Sequence, residues 1–323
     1  MVSPRSQIIK LIEQGAIPVE KIDGALIAAQ VTPTGKNWRT FIDHLLLWLG
    51  GMALAFAVMF FMAYNWSDIG HYAKFAIVEG CIGLAIVAYC KFEKDSTVSK
   101  VSLLVAIICL GVLLALYGQT YQTGADPWQL FFNWALLMLP WTLIGRFPAI
   151  WIVWISLINT SIVLYHQTFR GAFWFMSGSD EGVLWLIFLF NSLALVAWEF
   201  SKKRWHWLSE RWAIRLLAIG SGVPVTMLVL QTIFSHSDGS FVSVLVWGGW
   251  VVSIFFVYRK VIPDLFMLAG GCLSGITVLV SFLGKHLLKD WAAGGFLLLA
   301  MLVIGLGAGA AYWLKSVHRE IQS

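Results

Sequence analysis

Charge is what this chain has least of. Only 12% of its 323 residues are Asp, Glu, Lys or Arg, while 59% are hydrophobic; a soluble domain runs at about 25% and 45–50%. One aqueous core could not hide that much apolar surface, so an ordinary soluble globule is excluded and lipid must be the solvent. Cysteine is scarce as well. Cys81, Cys90, Cys109 and Cys272 lie in or beside apolar runs without CxxC spacing, which argues against a disulfide framework or thiolate metal site and leaves them as small apolar fillers. HExxH, P-loop, GxSxG and dinucleotide signatures are missing. The nearest approach, Gly271-Cys272-Leu273-Ser274-Gly275, has the wrong spacing, and its closest histidine, His286, falls in a loop. The expectation is a non-enzyme with no cofactor and no metal. Lys and Arg stand in short clusters at the ends of apolar runs, a topology signal and not a nucleic-acid patch. The first forty residues hold no apolar h-region of a secretory signal, so the first spanning helix is expected to direct insertion.

What is present is a series of ten apolar stretches, at about 44–64, 75–90, 101–118, 128–145, 148–165, 182–199, 212–233, 241–258, 261–283 and 291–314. Each is near the roughly 20 residues that cross about 30 Å of hydrocarbon. The fold class follows: all-α, a polytopic membrane bundle of about ten transmembrane helices. The second stretch is short, so it starts earlier or tilts little. Residues 1–40 form a separate cytoplasmic part. Ile8, Ile9, Leu11 and Ile12, then Gly15 and Pro18, then Ile22, Leu26 and Ile27 predict an amphipathic helical hairpin with a break between its arms. The membrane domain covers 41–316, and 317–323 is a cytoplasmic tail.

Orientation follows from the cations. With the N-terminus inside, the cytoplasmic segments carry 17 Lys and Arg and the external loops carry 4, namely Lys74, Arg170, Lys285 and Lys289. That asymmetry predicts both termini in the cytoplasm and supports an even number of spans. Tryptophans at segment ends (Trp66, Trp128, Trp151, Trp198, Trp212, Trp291, Trp313) suit the headgroup region. Tight turns at Gly145-Arg146-Phe147-Pro148 and Arg259-Lys260 predict antiparallel hairpins.

Polar residues within the spans have structural readings first. Gly271-x-x-x-Gly275 and Gly305-x-x-x-Gly309 predict close helix contacts within the protomer, with a dimer seam as the sharper alternative. Asn159 and Asn191 are expected to hydrogen-bond to neighbouring helices. Gly220-Ser221-Gly222-Val223-Pro224 predicts a kink healed by its neighbours, or a break that frees carbonyls for a ligand. Arg215 and Asp264, both near the cytoplasmic face, could pair.

The remaining polar residues gather on the external side of the first four spans. Asn65 and Trp66 follow the first span, Glu79 stands in the second, and Gln119, Tyr121, Gln122 and Asp126 occupy a loop without Lys or Arg. A carboxylate at the depth of Glu79 needs a partner or a raised pKa, and Lys74, Gln119 and Tyr121 are the candidates. Asp126 before Pro127, with Gln129 three residues on, predicts an N-cap and capping box. Gln119, Tyr121 and Gln122 have no such duty and are the leading residues for lining an external pocket.

Asn65-Trp66 followed by Gly118-Gln119-Thr120-Tyr121-Gln122-Thr123-Gly124-Ala125-Asp126-Pro127 resembles the bacterial membrane family known as domain of unknown function 2157. The resemblance includes the N-terminal hairpin and extends to about residue 160. It implies a multi-pass bacterial inner-membrane protein, brings no biochemical activity with it, and points to a small membrane-anchored partner encoded nearby. Two readings of function follow: a binding or assembly component whose external cluster holds a partner or small polar ligand, or a transporter or channel that uses the cluster as its outer vestibule. Membrane lipid is a contact in either case. Against transport, the middle of the membrane lacks a coupling charge and no inverted repeat is visible.

Overall fold

The computed structural model describes residues 4–29, 33–64, 69–169, 181–235, 241–287 and 292–322. All regular structure among them is helical. The chain separates into two compact units, Met1–Gly124 and Ala125–Ser323.

The first unit opens with the two-armed hairpin. Helix α1 (Pro4–Glu13) stops at Gly15, whose φ of +68° allows Ala16 N–H to reach back to the Leu11 carbonyl at 2.9 Å. That bond closes a C-terminal cap which a left-handed glycine permits. A short 3-10 turn leads into α2 (Ile22–Ala28). Helix α3 (Gly35–Tyr64) then runs 30 residues, about 45 Å at the usual rise, so it begins well before its apolar stretch. Helix α4 (His71–Lys91) starts four residues earlier than the apolar run at 75–90. Helix α5 (Thr97–Thr120) is capped by Ser96, whose Oγ accepts from Ser99 N–H at 3.2 Å. It packs against both α3 and α4 and is half buried over its apolar window. The α3–α5 contact is close: a Cβ on Gly51 would stand 2.1 Å from Val101 Cγ1.

The second unit begins with the hairpin of α6 (Pro127–Gly145) and α7 (Pro148–Thr168). Arg146 turns the chain in the left-handed region (φ +48°, ψ 43°), Phe147 is extended, and Pro148 opens α7. Trp154 Nε1 donates to the Ala135 carbonyl at 3.0 Å and ties the two together. Helix α8 (Glu181–Ser201) pairs with α9 (Arg211–Phe234), and α10 (Phe241–Phe256) follows. The chain then passes through a wide turn, Val257–Val261, closed by Ile262 N–H on the Val257 carbonyl at 2.9 Å. This turn holds Arg259 and Lys260 and reverses the chain into α11 (Leu265–Leu287), as expected; α12 (Ala292–Gln322) completes the unit. Helix α9 is the centre, with 61% of its apolar window buried against 6% for α12.

Among the described residues, nine helices are long and apolar enough to cross a membrane. The tenth long helix, α6, falls below that measure because Gln129, Asn133, Pro127 and Pro140 dilute its hydropathy. The ten apolar stretches are thus ten helices, in an all-α membrane bundle.

Several interior expectations resolve here. Helix α9 is unbroken through Pro224, and its glycines are contact points: a Cβ on Gly220 would meet Asn191 Oδ1 at 2.7 Å, and one on Gly222 would meet Trp250 Cη2 at 2.7 Å. Asn191 and Asn159 bond to each other across α7 and α8, at 2.8 and 3.2 Å. Gly271 packs on Phe255 of α10, whereas Gly275, Gly305 and Gly309 have nothing near the Cβ position. The expected close contacts therefore hold for Gly271 alone. Trp198 is no headgroup anchor. It is buried, and its Nε1 donates to the Leu208 carbonyl at 3.1 Å. Trp66 and Trp291 lie outside the described residues.

Candidate functional site

In the first unit the polar loop is shaped by the end of α5. Gln122 adopts φ +45°, and Thr123 N–H donates to the Gly118 carbonyl at 3.3 Å, the geometry of a C-terminal cap with glutamine where glycine is usual. Gly124, at φ +64°, bends the chain again. Gln119, Tyr121 and Gln122 are all exposed. The Tyr121 ring lies 4.9 Å from Tyr117 and 6.1 Å from Phe75 of α4, so the loop is held against the start of α4. Asn65 and Trp66 lie outside the described residues.

Glu79 is also exposed, on a different face of α4 from the buried Lys74. Because α4 begins at His71, Glu79 stands about 12 Å along it, deeper than the apolar run alone implied. It makes no ion pair or hydrogen bond with Lys74, Gln119 or Tyr121 among the described residues. Its own face carries Tyr72, Ala76, Gly80, Gly83 and Val87, all exposed.

Asp126 belongs to the second unit. Its backbone holds the N-cap conformation with Pro127 at the first helical position, but its side chain makes no capping hydrogen bond. The main-chain carbonyl of Asp126 already takes the Gln129 N–H at 3.0 Å. The expected capping box is not formed, and the carboxylate is left without that duty.

The second unit contains a charged cluster of which sequence reading identified only one pair. Asp264 caps α11 by accepting the Phe266 N–H at 3.0 Å. It receives Arg215 Nε on Oδ2 and Nη2 on Oδ1, each at 3.3 Å, and Arg211 Nη2 on Oδ2 at 2.8 Å. Arg211 extends towards Glu199 at 3.6 Å, and Glu199 also accepts the Tyr258 hydroxyl at 3.0 Å and pairs with Lys202. Arg215 lies over the Phe266 ring. These groups come from the end of α8, the start of α9, the wide turn and the α11 cap, around the unit's apolar core of Leu195, Ile214, Leu217, Ile254 and Leu268. Asp264's side chain is only 2% exposed, and its ion pairs and cap bond tie the ends of these elements together. The signal for it was basic and acidic residues at the ends of adjacent spans.

At the opposite end of α9, α10 and α11 lies a cleft of about 500 Å³ lined by Val229, Ile233, Trp247, Val278, Leu279 and Lys285, among others. Just beneath it Ser274 Oγ sits 2.6 Å from Thr226 Oγ1 and accepts Trp247 Nε1 at 2.9 Å. The serine of the Gly-Cys-Leu-Ser-Gly segment is therefore committed to helix packing. Sequence reading missed the cleft, which Gly275 leaves open.

Residues 10–151 match the family model described as predicted membrane protein (DUF2157). Over those residues the chain is similar to that family. The match takes in most of the first unit, all of α6 and the first residues of α7, so it contains Glu79 and the polar loop. The Asp264 cluster and the cleft lie beyond it. Neither the curated proteins nor the solved structures contain a match to the chain.

Proposed function

We propose that this protein is a non-enzymatic assembly component of the bacterial inner membrane, which binds a membrane-anchored partner through its DUF2157-like region. The observation that supports this is Glu79. A carboxylate about 12 Å along a membrane helix, on an exposed face, is costly unless another helix supplies a donor. The same face is lined by Ala76, Gly80 and Gly83, small enough for a second backbone to approach closely. Beyond the helix end, Gln119, Tyr121 and Gln122 offer hydrogen-bonding groups to the partner's extramembrane part. Both termini lie in the cytoplasm on this reading, because the 17 to 4 distribution of cations sets that orientation.

The alternative, passage of a small polar solute, has less support. The cleft of the second unit is walled mainly by aliphatic and aromatic side chains, which give such a solute few partners.

Affinity purification from native membranes tests the reading. A photo-crosslinking residue at Gly83 should capture one small membrane protein, in stoichiometric yield. Glu79→Gln, inserted at normal abundance, should lower recovery of that protein by about tenfold, the loss expected for one charge-assisted hydrogen bond. Recovery of the chain alone from both forms would refute the assembly role. Solute flux through reconstituted vesicles, abolished by Glu79→Gln, would favour transport instead.

A further inference from the structure

The cleft between α9, α10 and α11 is independent of the partner-binding face and has a chemistry of its own. Two glycines one turn apart on α11 behave differently. A Cβ on Gly271 would press on Phe255 Cε2 at 3.0 Å, while one on Gly275 would meet nothing within 4 Å. The missing side chain at 275 thus leaves a hollow, and Val229, Ile233 and Val278 wall it with hydrocarbon. An open hollow walled by hydrocarbon offers water few hydrogen-bond partners. It falls within the size range of ligand sites. Leu279 and Phe282 line it and are 42% and 49% exposed, so the opening faces sideways, where acyl chains lie.

Among the described residues, one cation stands in the wall. Lys285 is ten residues beyond Gly275, about 15 Å along α11 and two residues from the helix end. Its Nζ donates to the Ile233 carbonyl in the last turn of α9, and the side chain is half-exposed. An ammonium has three donors; this bond fixes its position and, among the described residues, leaves two for an anion. A hydrocarbon slot that ends in a fixed cation at headgroup level matches a molecule with an acyl chain and a negative head.

We propose that this cleft binds one anionic phospholipid, an acyl chain lying between α9, α10 and α11 over Gly275 and the phosphate paired with Lys285. A polar solute would find few partners along the walls, and a lipid without net charge would gain little from the lysine.

The test uses the full chain in nanodiscs of equal phosphatidylglycerol and phosphatidylethanolamine, with retained lipid counted by native mass spectrometry. The wild type should keep one phosphatidylglycerol, preferred about fivefold over phosphatidylethanolamine. Lys285→Gln should abolish the preference, and Lys285→Arg should keep it. Gly275→Leu adds its side chain to open space; it should fold normally, as read by thermal unfolding in detergent, and retain neither lipid. Equal retention of the two lipids by the wild type would overturn the proposal, as would undiminished retention by Gly275→Leu. A Lys285→Gln chain that is less stable yet equally selective would reduce the lysine to a cap on α9.

Discussion

Asp264 shows how one buried residue can hold several elements together at the ends of their spans. Its two oxygens take two guanidinium groups and a main-chain amide, so removing the carboxylate leaves like charges facing each other in a buried site. Asp264→Ala should lower stability by about 2–4 kcal/mol, below the full figure for a buried pair because the Arg215 side chain is 42% exposed. Thermal unfolding in detergent reads this directly. The double change Asp264→Leu with Arg215→Leu should cost less than the sum of the single changes, since it removes charge from both sides. Gly220 is a second critical position. A methyl group there would collide with Asn191 Oδ1, and Asn191 is bonded to Asn159. Gly220→Ala should therefore cost about 1–3 kcal/mol, and prior loss of the amide through Asn191→Ala should make it milder.

Among the elements, the turn between α6 and α7 has a non-glycine residue in the left-handed region. Arg146 is held there by Phe147 and Pro148, which commit the next two residues to extended and helical backbone. Arg146→Gly should raise the unfolding temperature, with a gain of about 0.5–1 kcal/mol, unless loss of the positive charge disturbs insertion. Parallel measurement of membrane abundance separates the two effects. In the first unit, α5 is gripped by α3 through Gly51 and Val101. Gly51→Leu should force α3 away from α5, and increased protease sensitivity of the first unit would report it.

For the whole molecule the governing quantity is the distribution of cations about the bilayer. Cysteine-labelling or reporter fusions should place Lys94 and Lys203 on the cytoplasmic side and Lys289 outside. Helix number, helix order and the hairpins at 145–148 and 259–260 were legible because burial in lipid writes each span as an apolar run of fixed length. The α1–α2 hairpin was legible from its own spacing. Of the candidate residues, Gln119, Tyr121 and Gln122 were singled out as free of helix-starting duty; they stand at the end of α5 and are exposed. Glu79 was expected to be paired, with Lys74, Gln119 or Tyr121 in reach, or raised in pKa, or to reach up to water, and Asp126 to form a capping box; Glu79 is exposed and the capping box is not formed. Helical periodicity does not say which face of α4 the neighbouring α5 will cover, and so it could not settle where Glu79 points.

Composition and order along the chain determine the solvent of this protein, the number of its long helices and the likeness of residues 10–151 to the DUF2157 family. Those properties are local, set by transfer of each segment out of water and by the short motifs at its ends. Tertiary structure alone decides that Gly271 is filled while Gly275 is open, and that Arg211, Glu199 and Tyr258 join the Arg215–Asp264 pair. These depend on which helices become neighbours. In lipid that choice rests on shape and hydrogen bonding between faces far apart in sequence, and no single stretch of chain records it.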